Sequence, residues 1–444
     1  MESIISQGIS SGADFVEIFF ENTESINMLA EQDLITSVSP VIINGVGLRV
    51  FKGIKDGFVS TNDISKIGLT KALDQALEML GLTKTTLSND NFQGLNLLKD
   101  YGIDKSFSLS CPSYKECSEK ILEGSSNLNK YGKHITTRRS SYSRTIQEVI
   151  IASSDGNFSR DLRLYQSIGL NVLAIDKDHR SSIGRRIGSS GNPNAIYDWN
   201  SDNCAQEICN SSNKMLYAKY VNAGQMPAVL SNKFGGVIFH EACGHLLETT
   251  QIERGTTPFK EKINERIANK AVTAIDEGLS EGAFGTVSID DEGMETQRTV
   301  LIKDGILKNF ISDRAGELRT GHKRTGSGRR QNYSFAPASR MRNTYIDNGH
   351  YKPHQLIESI DKGIYCKSMG GGSVGATGQF NFSVDEAYLI KDGKITDPVK
   401  GATLIGEAIE IMPRISMCAD DLDLAAGFCG SISGNVNVTV GQPH

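Results

Sequence analysis

An α+β fold is what this sequence of 444 residues predicts, on three observations. Near the start, apolar and polar residues alternate with a period of two over several runs separated by turn residues, the pattern of an antiparallel meander. Helical apolar stripes interrupt these runs, and helices packed on one antiparallel sheet are the α+β arrangement. In the second half, Gly, Asn, Asp and Ser punctuate short alternating runs so densely that a strongly bent, barrel-like sheet is expected.

In chain order, residues 2–10 read as a short helix that Gly12 ends. From Asp14 the period becomes two, with Phe15, Glu17, Phe19 and Glu21 on one face and Val16, Ile18 and Phe20 on the other. Further strands are expected at 25–30, 34–38, 41–51 and 56–60, divided by turn residues such as Asn44-Gly45 and Lys52-Gly53. Asp63 caps a helix to about Leu80, whose stripe is Ile64, Ile67, Leu69, Ala72, Leu73, Ala76 and Leu77. Residues 82–110 are polar and turn-rich, a surface excursion. A second helix covers 113–127, strands resume at 135–139, 146–153 and 161–174, and a Gly/Ser-rich stretch at 188–194 precedes a helix from about 202 to 219. A boundary near 221–225 separates an N-terminal α+β domain, 1–222, from a C-terminal domain, 223–444. Beyond it 227–231 is a buried strand, and Asn232 stands where it could cap the next helix. The remaining strands are expected at 285–289, 297–302, 306–311, 380–383, 386–390, 393–395 and 436–440.

Composition narrows the function. Hydrophobic residues at 38% and charged residues at 22% describe a soluble globular chain with ample core. A net charge of −5 gives no electrostatic reason to bind nucleic acid. No segment approaches the roughly 18 consecutive apolar residues of a membrane span. The start, MESIIS, has neither a basic nor an apolar leader region, so a cytoplasmic protein is expected. None of the eight cysteines forms a C-x-x-C pair, and reduced thiols are the default in that compartment.

The chemistry concentrates between Phe234 and Glu248 (FGGVIFHEACGHLLE), where His240, Glu241 and His245 interrupt an apolar helical segment. Imidazole and carboxylate at close spacing are what a zinc hydrolase uses to hold a metal and activate water. Zincin helices carry their histidines at i and i+4, about 40° apart, whereas the i+5 spacing here is about 140° on a regular helix. A π-type turn, with an extra residue, would restore a common side, and Gly244 is the residue type that tolerates such a distortion. Burying three polar groups among Val237, Ile238, Phe239, Leu246 and Leu247 needs a compensating partner, which argues against plain core histidines.

Catalytic zinc takes three protein ligands and keeps a fourth position open. The residues alone leave the third open among Glu248, Cys243, Cys366, Cys418, Cys429, His322, His350 and His354. Helical spacing favours Glu248, eight residues after His240. Cys429 lies between Gly427 and Gly430, where the backbone can approach a metal closely.

The HEACGH stretch at 240–245, with its flanks, resembles the signature of the TldD/PmbA metalloprotease family on its metal-bearing TldD side. Further stretches are similar to the family in the right order across 225–444: DDEGMETQRTVLI at 290–302, GSGRR at 326–330, SRMRNTY at 339–345, GGGSV at 370–374, GQFNFS at 378–383, PVKGATLIG at 398–406 and VTVGQP at 438–443. The N-terminal half matches only in general pattern. The resemblance implies a Zn2+ held by His240, His245 and Cys429, with Glu241 as the base. It implies an α+β domain followed by a strand-rich catalytic domain, in a dimer that encloses the metal. In bacteria such a subunit pairs with a related TldE/PmbA-like one lacking the motif, and the pair cleaves unfolded peptides, including precursors of modified peptides. Self-pairing is the alternative.

The expected activity is therefore zinc-dependent hydrolysis of extended peptides. A strand-rich wall beside a metal suits a peptide held by main-chain hydrogen bonds. Arg340, Asn343 and Thr344 are candidates for orienting it, and Gly371 and Gly372 for offering backbone groups close to it. Two rivals are a scaffold whose zinc is structural and closed by four ligands, and an amidase acting on small molecules.

Overall fold

Alternation of small, β-branched and aromatic residues over unusually long runs builds the first half of the molecule. The computed structural model describes residues 1–85, 92–102, 110–375 and 378–444. Strands β1 (Phe15–Glu31), β2 (Leu34–Lys52), β3 (Lys55–Thr61), β4 (Lys99–Asp100), β5 (Ile135–Ser153), β6 (Phe158–Asp176) and β7 (His179–Ser190) form one open sheet. Its order is β3-β2-β1-β5-β6-β4, with β7 also pairing β6. The runs expected as separate strands fuse: β1, β2 and β5 each cross a stretch read from the sequence as a break. At Asn44-Gly45 the reason is steric contact, not a turn. A Cβ on Gly45 would lie 2.4 Å from the Tyr333 ring, so the glycine admits an aromatic side chain from the second half onto a continuous strand.

Helices cover one face. Lys66–Met79 is capped by Ser65, whose hydroxyl accepts from Gly68 N, and not by Asp63, which instead accepts from Ser65 N. Tyr114–Tyr131 starts with a capping box between Ser113 and Glu116. With Ser201–Leu216 it buries Cys117, Ile121, Leu128, Ile208 and Met215 against Ile26, Met28, Tyr142, Ile168 and Val172 of the sheet. Each such side chain contributes about 1.5–3 kcal/mol when fully buried. The excursion expected at 82–110 lies partly outside the described residues. Its described part is tied down: β4 pairs with β6, Asn96 N donates to Gly156 O, and Phe92 and Leu95 pack on a core cluster.

The second half contains β8 (Lys219–Tyr220), β9 (Ala228–Leu230), β10 (Ala274–Glu277), β11 (Arg298–Lys303), β12 (Ile306–Leu307), β13 (Gly328–Arg329), β14 (Ala338–Ser339), β15 (Asn343–Ile346), β16 (Lys362–Val374), β17 (Gln379–Lys391), β18 (Lys394–Lys400), β19 (Thr403–Glu407), β20 (Asp423–Ser431) and β21 (Gly434–Gln442). Two open six-stranded sheets result. One runs β12-β11-β10-β15-β21-β20; the other runs β8-β18-β17-β16-β9, with β19 on β17. The expected strand at 285–289 is a loop, because its polar groups bond side chains: Gly285 N donates to Asn343 Oδ1 and Thr439 Oγ1. Of 306–311, only Ile306–Leu307 is strand.

The segment Phe234–Leu247 lies between these sheets. Val237, Ile238, Phe239, Ala242, Cys243, Leu246 and Leu247 share one core cluster with Phe310, Met341, Phe380 and Phe382. Buried ion pairs join the halves: Arg330 to Glu17 at 2.8 Å, Arg163 to Asp291 at 2.6 Å and Arg49 to Glu292 at 3.1 Å. Breaking such a pair leaves a buried charge uncompensated, so these contacts bind the first sheet firmly to the 290–330 region. No described helix is long and apolar enough to cross a membrane.

Candidate metal centre

A 3-10 turn at Lys233–Gly236 opens the motif segment, and Gly236 lies flush on β21: a Cβ there would meet the Gly441 backbone at 2.5 Å. Asn232 stands at its start without a side-chain cap; its amide donates to Asp421 O instead. One turn of α-helix follows, then a π-helical turn over His240–Gly244 and a second 3-10 turn over His245–Leu247. The distortion that the i+5 spacing requires is present, and it ends at Gly244. It turns His240 and His245 to one side, with ring centroids 5.1 Å apart at 82°.

Because the segment rests on β21, it faces the neighbouring edge strand β20, which carries Cys429. Cys429 Sγ is 3.2 Å from His240 Nε2 and 3.2 Å from His245 Nε2, although 189 and 184 positions separate these residues in the chain. The ligand atoms of all three lie within 4.8 Å of one another, and no other such cluster of His, Cys, Asp or Glu occurs among the described residues. Tetrahedral zinc, with bonds of about 2.0–2.1 Å to nitrogen and about 2.3 Å to sulfur, sets those atoms roughly 3.5 Å apart. The donor set therefore fits zinc after an opening of a few tenths of an ångström.

The electrostatics suit a cation. Burial alone would raise the Cys429 thiol, but the two imidazoles outweigh it and hold it well below the ordinary thiol value. Burial likewise opposes charge on His245, yet the Glu248 carboxylate and the Cys429 sulfur raise it well above the usual imidazole value. Glu241 Oε2 is 3.6 Å from His245 Nε2, and its side chain is 23% exposed. His240 and Cys429 are buried. The carboxylate thus stands on the open side of the triad.

The other candidates for third ligand are elsewhere. Glu248, the choice of helical spacing, falls after the helix has ended, in extended backbone, and accepts from His245 Nδ1 at 3.0 Å and Met341 N at 3.3 Å. It holds the ring from behind, as the outer partner of a ligating histidine does. Cys243 is sealed in the core, where burial pushes its thiol up to about 12.

The residues expected to orient a peptide need correction. Arg340, Asn343 and Thr344 are fully buried and bonded to protein groups: Arg340 to the Cys429 and Gly434 carbonyls, Asn343 to Glu277 O and Thr286 Oγ1, and Thr344 to Asp276. They offer nothing to solvent. Gly371 and Gly372 are exposed at an irregularity of the β16–β17 pairing, although Ser383 Oγ already donates to the Gly371 carbonyl. Sequence reasoning missed Met341. Its sulfur packs where a Cβ on Gly244 would stand, 2.4 Å from that position. Gly244→Ala is expected to cost about 1–3 kcal/mol by overpacking and to weaken zinc binding, as read by urea denaturation and metal titration.

Known proteins supply the context. Family models match three successive stretches: PmbA/TldA metallopeptidase domain 1 at 16–80, the central domain at 107–216 and the C-terminal domain at 223–444. The chain is 36% identical over 447 residues to the metalloprotease TldD homolog of Haemophilus influenzae, covering 97% of this chain and 91% of that protein. It is 32% identical over 451 residues to the metalloprotease TldD homolog of Buchnera aphidicola, covering 97% and 90%. Its fold is similar to the crystal structure of TldE from Thermococcus kodakarensis, with a TM-score of 0.75 and 18% identity over 100% of this chain and 99% of that one.

Proposed function

Since the chain belongs to the TldD/PmbA metallopeptidase family, we propose that it is a zinc-dependent peptidase that hydrolyses unfolded or extended peptides. His240, His245 and Cys429 hold the metal and Glu241 is the general base. One observation carries this reading: a π turn puts two imidazoles against a distant thiol, with a single carboxylate on their open side. When bound, zinc supplies the positive charge that polarises a peptide carbonyl and acidifies water. Glu241 takes the proton from the attacking water and passes it to the departing amine. Glu248 fixes the His245 ring so that Nε2 faces the site. Only three donors gather among the described residues, which favours a catalytic site with a free position over a closed structural one.

The same reading has the chain act within a dimer, with a TldE-like subunit lacking the His-Glu motif or with a second copy. Two features support it: the likeness in fold to TldE, and the exposed Phe428 and Ile432 beside Cys429, apolar side chains suited to cover by another chain. Within the chain, 1–222 would form the supporting domain and 223–444 the catalytic one. Eight free cysteines suit the reducing cytoplasm.

The test is hydrolysis of three substrate sets, unstructured peptides, folded proteins and small amides, with and without chelator. Cleavage of the unstructured peptides alone, abolished by chelator and restored by zinc, is expected. Equal turnover of small amides would make it an amidase, and zinc retention without any cleavage would make it a scaffold.

A further inference from the structure

β20 is an edge strand: β21 pairs along one side of it, and among the described residues nothing pairs along the other. Cys429 therefore sits on a strand that its sheet fixes from one side only, yet its sulfur must meet two rings on a separate element to within tenths of an ångström. We propose that Arg340 is the positioning residue that sets Cys429 for the metal, an inference that rests on the ligand assignment proposed above.

The guanidinium spans the end of the β20–β21 hairpin. Nη2 donates to the Cys429 carbonyl at 2.5 Å, and Nη1 donates to the Gly434 carbonyl at 2.8 Å and to Ser433 Oγ at 3.0 Å. One planar group thus ties the ligand's own backbone to the turn that follows it. A fork of donors at fixed angles does this, and a single ammonium does not. The anchor at the other end is equally firm, since Arg340 N donates to Ser327 O and the side chain has no exposed surface.

The neighbours of Arg340 grip the other half of the site. Ser339 Oγ accepts from Thr250 N, Met341 N donates to Glu248, and the Met341 sulfur packs on Gly244. Residues 339–341 therefore hold the motif segment through Met341, the helical turn that follows it through Ser339, and the Cys429 strand through Arg340. Among the described residues Arg340 forms no ion pair, and its acceptors are two carbonyls and a hydroxyl. It therefore acts on the hairpin through directed hydrogen bonds, as a brace.

The experiment measures zinc affinity by competition with a chromophoric chelator, and the thiolate-to-cobalt charge-transfer band of the cobalt-substituted protein, in wild type, Arg340→Gln, Arg340→Lys and Cys429→Ser. Arg340→Gln is expected to lose affinity by about 10–100-fold, the usual worth of an outer partner to a ligand, and to weaken or shift the cobalt band. Arg340→Lys, which keeps a hydrogen-bond donor at the end of the side chain without the fork, should recover part of both. A merely structural arginine would lower the melting temperature while leaving affinity and band of the folded protein at wild-type values, and that result overturns the proposal. Should Arg340→Gln not fold, Arg340→Lys decides alone: an unchanged band and affinity overturn it. Cys429→Ser separates the two layers of inference. If its cobalt band persists, the ligand assignment has failed, whatever Arg340 does.

Discussion

Glu241→Gln should bind zinc as tightly as the wild type and hydrolyse peptides about 10²–10⁴-fold more slowly, the usual contribution of a general acid–base group. Glutamine preserves the shape of the side chain and its partial exposure but cannot take a proton. Metal content should hold because Glu241 lies outside the three donors that come within 4.8 Å of one another. The effect should fall on kcat and kcat/KM together, since the proton transfer is made in the transition state. With a thiolate among the ligands, the metal would carry a formal charge near +1, a weaker Lewis acid than one held by three neutral imidazoles, and the base should matter correspondingly more. Metal analysis beside steady-state kinetics on an unstructured peptide checks both halves. Peptidase activity at the wild-type rate would remove Glu241 from the mechanism.

That prediction depends on a local geometry legible in the sequence. Two histidines five positions apart cannot share a side on a regular helix, so their joint use demands an extra residue in the turn, and the structure contains it over His240–Gly244. The α+β class was equally legible, since it depends on periodicity, and periodicity survives burial. What the sequence did not show was steric and long-range. Gly45 has the composition of a turn but serves as a gap for Tyr333, a residue 288 positions later, as 333 − 45 gives. Glu248 has the spacing of a ligand, but the π turn and the 3-10 turn after it change the rotation per residue and leave it behind His245. Arg340, Asn343 and Thr344 have the polarity of substrate contacts. Only the fold reveals that each is turned inward onto carbonyls, a hydroxyl and a carboxylate. A polar side chain in a sequence carries no record of which partner it meets.

Cys429→Ser is the substitution expected to do most damage, because in the proposed ligand set it removes the one soft, anionic donor and leaves only the two imidazoles. Serine is nearly isosteric with cysteine, so the β20–β21 hairpin and its Arg340 brace should persist. Its hydroxyl, though, does not ionise near neutral pH and binds zinc poorly beside a thiolate. Zinc affinity should therefore fall well beyond the roughly 10–100-fold that an outer-shell residue commands, and hydrolysis should disappear with the metal. Cys243→Ser provides the contrast. That thiol is wholly buried in the apolar core with its proton held up to about 12, so its loss should alter stability and leave zinc stoichiometry intact. Metal analysis of the two purified variants separates the roles. Full zinc stoichiometry in Cys429→Ser would transfer the third position to Glu248 or Cys243, and the 3.2 Å approach of the Cys429 sulfur to both imidazoles would then be packing without ligation.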